Sequence, residues 1–369
     1  MVRSNETEKI IFQSKELDID PFIQRFPWIG GDLQTLRDSI RKDQLVIENS
    51  LEIKIPISKF PGSLDNSGYL LGFLNLPISG KEIKGLILML HGLGGSTKRL
   101  GLRRMAIYLK EQGFAVLKLN LRGAGLGRNL AGGTYSAKCT QDLIATIKKA
   151  KEICKKIQTS NYFKGERIPL FGVGISLGGT ILLNTCLDNL NKEETLFNGI
   201  VCTSSPLDLY ESSNSIERLR NKIYQKWLLN RLIKQTLSDP FYKGSVELKE
   251  FEYLVKVGEI KSIKDFDQSI TAPRWGYSDV YDYYENASPI KDLINKEIKT
   301  NISILHSLDD PWVPFKAAMR LKKLTEEKRY SNIKVFLTRN GGHNGFHGNK
   351  GCWGDYFVKE VLINMQKNC

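Results

Sequence analysis

The segment Gly174-Ile175-Ser176-Leu177-Gly178-Gly179 constrains this chain most. It follows an apolar, β-rich run at 168–173 and precedes a helix-forming stretch from Gly179 to about Leu187. A serine on so sharp a strand-to-helix turn takes a strained backbone, and small residues two places to either side let the turn close without steric overlap. The helix that follows aims its first N–H groups back at the turn. The spacing presents Ser176 as an exposed nucleophile. A glycine-rich turn cradling a phosphate would use the same geometry, so the reading depends on the other groups that a serine nucleophile needs.

Strands and helices alternate around this turn. Residues 86–90 form a continuous apolar run ending at His91-Gly92, which reads as a buried strand entering a loop. Residues 103–112 read as a helix stopped by Gly113, and 114–119 as the next strand. Over 140–157, Leu143, Ile144, Ile147, Ala150 and Ile153 recur at helical spacing. Strands follow at 168–173 and 199–203. Alternation at this pace implies a mostly parallel sheet with crossover helices. It stops over 207–288, which is polar, charged and largely helical, with a helix expected over 215–237. It resumes with a strand at 302–306, a helix at 316–328, a strand at 333–337 and a last helix near 353–365. We therefore expect one α/β domain over 1–369, interrupted by a cap or lid insertion at 207–288.

Three further loops carry polar groups at strand ends. His91-Gly92-Leu93-Gly94-Gly95-Ser96 follows the strand at 86–90. Such a loop supplies one N–H of an oxyanion hole, here Leu93, and the residue after the nucleophile, Leu177, supplies the other. His91 itself reads as a residue that orients the loop. After the strand at 302–306 come Ser307-Leu308-Asp309-Asp310. A small residue, two more and then an acid selects Asp310 as the carboxylate that holds an imidazole, leaving Asp309 to cap the following turn. His343, in Gly341-Gly342-His343-Asn344-Gly345-Phe346, stands where a general base belongs. His343 and His347 also have metal-pair spacing, but Gly345 and Gly348 break any helix there and no Glu follows His343, so no metal is expected. The order Ser176, Asp310, His343 is that of α/β-hydrolases.

Bulk properties remove other classes. No run approaches the roughly 20 apolar residues of a membrane span. Residues 1–20 are polar and mixed in charge, unlike a signal peptide, so a cytoplasmic location is expected. Cys139, Cys154, Cys186, Cys202, Cys352 and Cys369 are scattered without a CxxC pair, which fits reduced thiols, with Cys186 and Cys202 as small core residues. The net charge of +14 fits a lysine-rich surface, with peripheral contact to an anionic membrane left open. No aromatic-basic pattern accompanies it, so no nucleic-acid partner is expected.

The chain also resembles the YheT-like branch of the α/β-hydrolases. That branch includes bacterial YheT proteins, yeast medium-chain fatty-acid ethyl ester synthase/esterases and human abhydrolase-domain lipid hydrolases. Gly31-Asp32-Leu33-Gln34-Thr35-Leu36 resembles its H-x-Q-T segment, with Asp32 where histidine is usual. His91–Ser96 resembles H-G-L-x-G-S, and Asn120-Leu121-Arg122-Gly123 resembles N-x-R-G, with Ala124 where Cys is common. Phe266-Asp267, Tyr283-Tyr284 and Ala287-Ser288 resemble its F-D, Y-Y and S-S stretch, and Asp309-Asp310-Pro311 and Gly341–Phe346 its D-D-P and G-G-H-x-G-F. The resemblance implies an α/β-hydrolase fold, a Ser176–Asp310–His343 triad and cofactor-free acyl transfer from a small-molecule or lipid-like ester or thioester. Two rivals stand beside hydrolysis: acyl transfer to an alcohol, and a non-catalytic binding protein on the same fold.

Overall fold

The computed structural model describes residues 17, 19–41, 43–61, 68–77, 82–159, 167–191, 193–328 and 332–369. Most of the polar stretch 1–20 lies outside the described residues.

Six strands run parallel at the centre: β3 (Gly85–Leu90), β4 (Phe114–Asn120), β5 (Leu170–Ile175), β6 (Gly199–Thr203), β7 (Asn301–Ser307) and β8 (Ile333–Thr338). Two more, β1 (Leu51–Ile57) and β2 (Gly68–Asn75), make an antiparallel hairpin that joins the edge of β4. The sheet order is β1-β2-β4-β3-β5-β6-β7-β8. The parallel part matches the alternation read from the sequence. The hairpin was not anticipated: Glu52 and Lys54 face solvent and Gly68 and Gly72 dilute the apolar pattern. Gly72 is small for a reason, because a Cβ there would lie 2.9 Å from Leu117 Cδ1 on β4.

The continuous apolar strands are explained by cover on both faces. Side chains alternate, so Leu86, Leu88 and Leu90 of β3 enter one core and Ile87 and Met89 the other. The first core is closed by α3 (Thr140–Gln158) and α4 (Leu177–Leu187), the second by α2 (Leu100–Glu111) and α11 (Trp353–Lys367). Each fully buried Leu or Ile contributes about 1.5–3 kcal/mol. Cys186 and Cys202 are buried in the first core. At the N-terminal side, α1 (Gly31–Ile40) precedes the hairpin.

Between β6 and β7 the chain is helical: α5 (Leu209–Ile216), α6 (Lys222–Leu237), α7 (Val246–Lys256), a short helical stretch over 263–274 with a π turn at Asp267–Thr271, α8 (Val280–Ala287) and α9 (Ile290–Asn295). The single helix expected over 215–237 is instead broken. Asn221 is fully buried, and its amide donates to Ser215 O at 2.8 Å and Pro311 O at 2.6 Å. A side chain that bonds nearby carbonyls offers the backbone an alternative to continuing the helix. After β7 comes α10 (Lys316–Lys328).

The strand order places the site. From β3 the chain winds outward to β4, and then returns to add β5 on the other flank of β3. Ligands of open α/β sheets bind in the crevice outside the carboxyl ends of strands at such a reversal. Leu90 pairs with Gly174 there, so the loop starting at His91 and the turn carrying Ser176 lie side by side.

Candidate active site

Ser176 links β5 to α4 with φ 55° and ψ −126°, a conformation costly for any residue with a side chain. Its neighbours hold it there. A Cβ on Gly174 would overlap the Gly179 backbone, one on Gly178 would lie 2.7 Å from Leu90 O, and one on Gly92 would lie 2.9 Å from Ser176 Cβ. The Ser176 N–H also donates to Thr203 O at 2.8 Å, fastening the turn to β6.

His343 connects the serine to a carboxylate. Its Nε2 lies 2.9 Å from Ser176 Oγ and its Nδ1 2.9 Å from Asp310 Oδ2. Burial opposes ionisation of Asp310, but the adjoining His343 and its hydrogen bonds outweigh it and hold the carboxyl below its usual range. The other oxygen, Oδ1, accepts the N–H groups of Trp312 at 2.9 Å and Val313 at 3.0 Å. Asp310 therefore caps the turn as well as facing the imidazole, which corrects the sequence assignment of the cap to Asp309. A carboxylate has an oxygen for each task. Asp309 Oδ1 instead accepts the Gly342 N–H at 2.8 Å, and burial pushes this acid up. The Trp312 ring packs on His343 with centroids 4.5 Å apart.

The His91 loop is ordered by its own groups. Leu121 N–H donates to His91 Nε2 at 3.2 Å, so the proton sits on Nδ1, which donates to Gly92 O at 2.8 Å. Burial lowers His91 to about 4, leaving it neutral and engaged on both nitrogens. Gly94 N–H is taken by Tyr135 OH at 2.7 Å and Gly95 N–H by Gly92 O at 3.1 Å. Leu93 is the residue between Gly92 and Gly94, beside Ser176 in the same cavity. Leu177 is the first residue of α4, where the N–H has no carbonyl one turn back in its own helix.

Sequence reasoning did not foresee the part played by α1. Thr35 Oγ1 accepts the His343 N–H at 2.8 Å and donates to Gly31 O at 2.7 Å. Gln34 donates to His347 O at 3.1 Å and accepts the His347 N–H at 2.7 Å. In the sequence the Q-T pair stands out only by its resemblance, because His343 and His347 are more than 300 residues away and no local pattern reveals them. We expect Thr35→Val to lower unfolding stability by about 1–3 kcal/mol by leaving a buried N–H unpaired, while Thr35→Ser retains most of it, as read by urea denaturation.

A cavity opens over Ser176 and His343. Its apolar wall includes Leu209, Ile216, Leu228, Leu232, Ile263 and Phe266, all from the helices between β6 and β7. Asp267 and Tyr284 add a polar side, with Tyr284 OH donating to Asp267 Oδ2 at 2.9 Å and burial raising Asp267 to about 6. Other apolar residues of this region only pack. Leu229 joins a small core with Phe251 and Ile270, and Trp275 stacks on Phe60 at 5.4 Å while donating to Thr134 O at 3.0 Å. His347 Nε2 lies 3.2 Å from Asp38 Oδ1. Among the described residues no group of three or more His, Cys, Asp or Glu could hold a metal ion, and no helix is long and apolar enough to cross a membrane.

Comparison with known proteins agrees with this architecture. The family profile described as serine aminopeptidase, S33, matches residues 81–347. The chain is 29% identical over 261 residues to mouse "Phospholipase ABHD3", covering 70% of this chain and 58% of that protein. It is 27% identical over 267 residues to the Escherichia coli "Putative esterase YheT", covering 72% and 71%. It is 25% identical over 246 residues to the Saccharomyces cerevisiae "Monoacylglycerol lipase", covering 64% and 50%. The match thus spans only 58% of the length of the mouse relative. Among solved structures, the Pyrococcus furiosus esterase Pf2001 superposes with a TM-score of 0.54 at 14% identity, over 96% of this chain and 100% of that one. A soluble variant of S. cerevisiae monoglyceride lipase superposes with a TM-score of 0.52 at 16% identity, over 84% and 96%. These two likenesses are of fold.

Proposed function

Because the chain belongs to the serine aminopeptidase S33 family of α/β-hydrolases, we propose that it cleaves carboxylic esters or thioesters through an acyl-enzyme on Ser176. The observation that carries this reading is His343, which reaches Ser176 Oγ and Asp310 Oδ2 at 2.9 Å each. Ser176 Oγ attacks the carbonyl carbon as His343 Nε2 takes its proton. Asp310 keeps the other imidazole proton on Nδ1 and stabilises the imidazolium. The N–H groups of Leu93 and Leu177 receive the oxyanion. Collapse expels the alcohol or thiol, protonated by His343, and water attacks the acyl-enzyme by the reverse proton path.

The apolar wall over the serine favours an acyl chain, and we read 207–288 as the cap that shapes it. Labelling with a fluorophosphonate and a screen of p-nitrophenyl esters, with ethanol competing against water, test the reading. Labelling and ester turnover support it, and the product ratio separates hydrolysis from transfer to an alcohol. Leucine p-nitroanilide cleaved faster than every ester would move the reaction to a peptidase, and no labelling would leave a binding protein.

The cap makes a second expectation. Leu228→Ala and Leu232→Ala should shift the preferred ester toward longer chains, since each methylene accommodated in an apolar pocket is worth about 1–3 kcal/mol. A uniform loss at all lengths would assign both leucines to packing.

A further inference from the structure

Among the described residues the buried arginines face a carboxylate: Arg37 meets Asp38 and Asp43, Arg122 meets Asp142, Arg128 meets Asp239 and Arg274 meets Glu247. Two half-buried arginines at the loop that starts at His91 do not. Arg99 is the N-cap residue of α2, and its side chain makes no cap hydrogen bond. Its guanidinium lies 4.8 Å from the centroid of the Trp227 ring. Arg231, from α6, places its guanidinium 5.1 Å from the same centroid and donates through Nε to Gly94 O at 2.8 Å. Neither makes an ion pair among the described residues. Gly94 lies two residues beyond Gly92, which abuts Ser176, and Arg99 lines the cavity that contains Ser176.

Two like charges held against one indole ring, half out of water, are unfavourable unless something negative joins them. Burial and then the facing Arg231 lower Arg99 to about 10, and burial lowers Arg231 as well. Trp227 can hold guanidinium planes by cation–π contact but supplies no counter-charge. The positive end of α2 adds to the same field. Guanidinium forks match the oxygens of phosphate and carboxylate, and the Nη groups of Arg231 remain beyond its single bond to Gly94.

We propose that Arg99 and Arg231 form an anion subsite that binds a phosphate or carboxylate group of the substrate, so that this protein prefers esters with an apolar acyl chain and an anionic end. The proposal rests on the ester-hydrolase reading of Ser176 for its kinetics but not for its binding.

Calorimetry on the intact chain with dodecyl phosphate and dodecanol tests the subsite without turnover. Dodecyl phosphate should bind at least about tenfold more tightly at low salt, and the advantage should shrink as salt rises. Arg99→Gln should remove most of it, and Arg99→Lys should keep part. The salt series uses the unaltered protein and so does not depend on a variant folding. In kinetics, kcat/KM for monodecanoylglycerol phosphate should exceed that for monodecanoylglycerol, with the ratio falling toward one in Arg99→Gln. Decanoyl-CoA preferred over the glycerophosphate ester, and equally sensitive to Arg99→Gln, would assign the phosphate to a nucleotide carrier; the reverse order would assign it to a lipid. Equal binding of dodecyl phosphate and dodecanol would overturn the subsite, as would an Arg99→Gln loss shared equally by neutral and anionic esters. Anion-selective binding with no ester turned over would overturn the hydrolase reading and leave the subsite standing.

Discussion

Ser176→Ala should abolish fluorophosphonate labelling and lower ester turnover by about 10⁴–10⁶-fold, because groups that act as a unit fail together when the nucleophile is removed. The substitution leaves the strained turn with a residue no larger than serine, so the packing of Gly92 and Gly174 around it is undisturbed. Circular dichroism and the unfolding midpoint should stay near those of the parent. Turnover within tenfold of the parent in the purified variant would remove Ser176 from the mechanism.

The second large effect separates two adjacent acids. Asp310→Asn should cost about 10⁴-fold in kcat, since an amide facing Nδ1 selects the wrong imidazole tautomer and cannot stabilise the imidazolium. Asp309→Asn should stay within about tenfold of the parent, because an amide oxygen can still accept the Gly342 N–H. The reverse order of losses, in variants that both fold, would assign the orienting role to Asp309. Since both acids hold the loops around His343, unfolding midpoints measured alongside separate a lost loop contact from a lost proton path.

The three residues of the proposed triad could be found because each sits where a short pattern meets a strand end: Gly-x-Ser-x-Gly after β5, Ser-x-x-Asp after β7 and Gly-Gly-His after β8. The parallel strands were legible for a related reason. Helices cover both faces of the sheet, so β3 is apolar throughout and stands out even without alternation. The β1–β2 hairpin was missed because it is an edge element with solvent-facing polar residues, and the break at Asn221 because its amide is recruited by Pro311, far along the chain.

What the sequence by itself determined is therefore the set of local conformations: where strands end, which turn must be small-residue, which side chains stand on the loops beyond. Those depend on steric and hydrophobic rules acting over a few residues. Only the tertiary structure decided which groups meet. It showed that Thr35 supports His343 across a separation of 308 residues, that Asp310 serves imidazole and turn with different oxygens, and that Arg99 and Arg231 converge on Trp227 with no carboxylate partner among the described residues. Hydrogen bonds and charge pairing depend on distances of a few ångströms between distant segments, and those distances are set by how the sheet orders its strands.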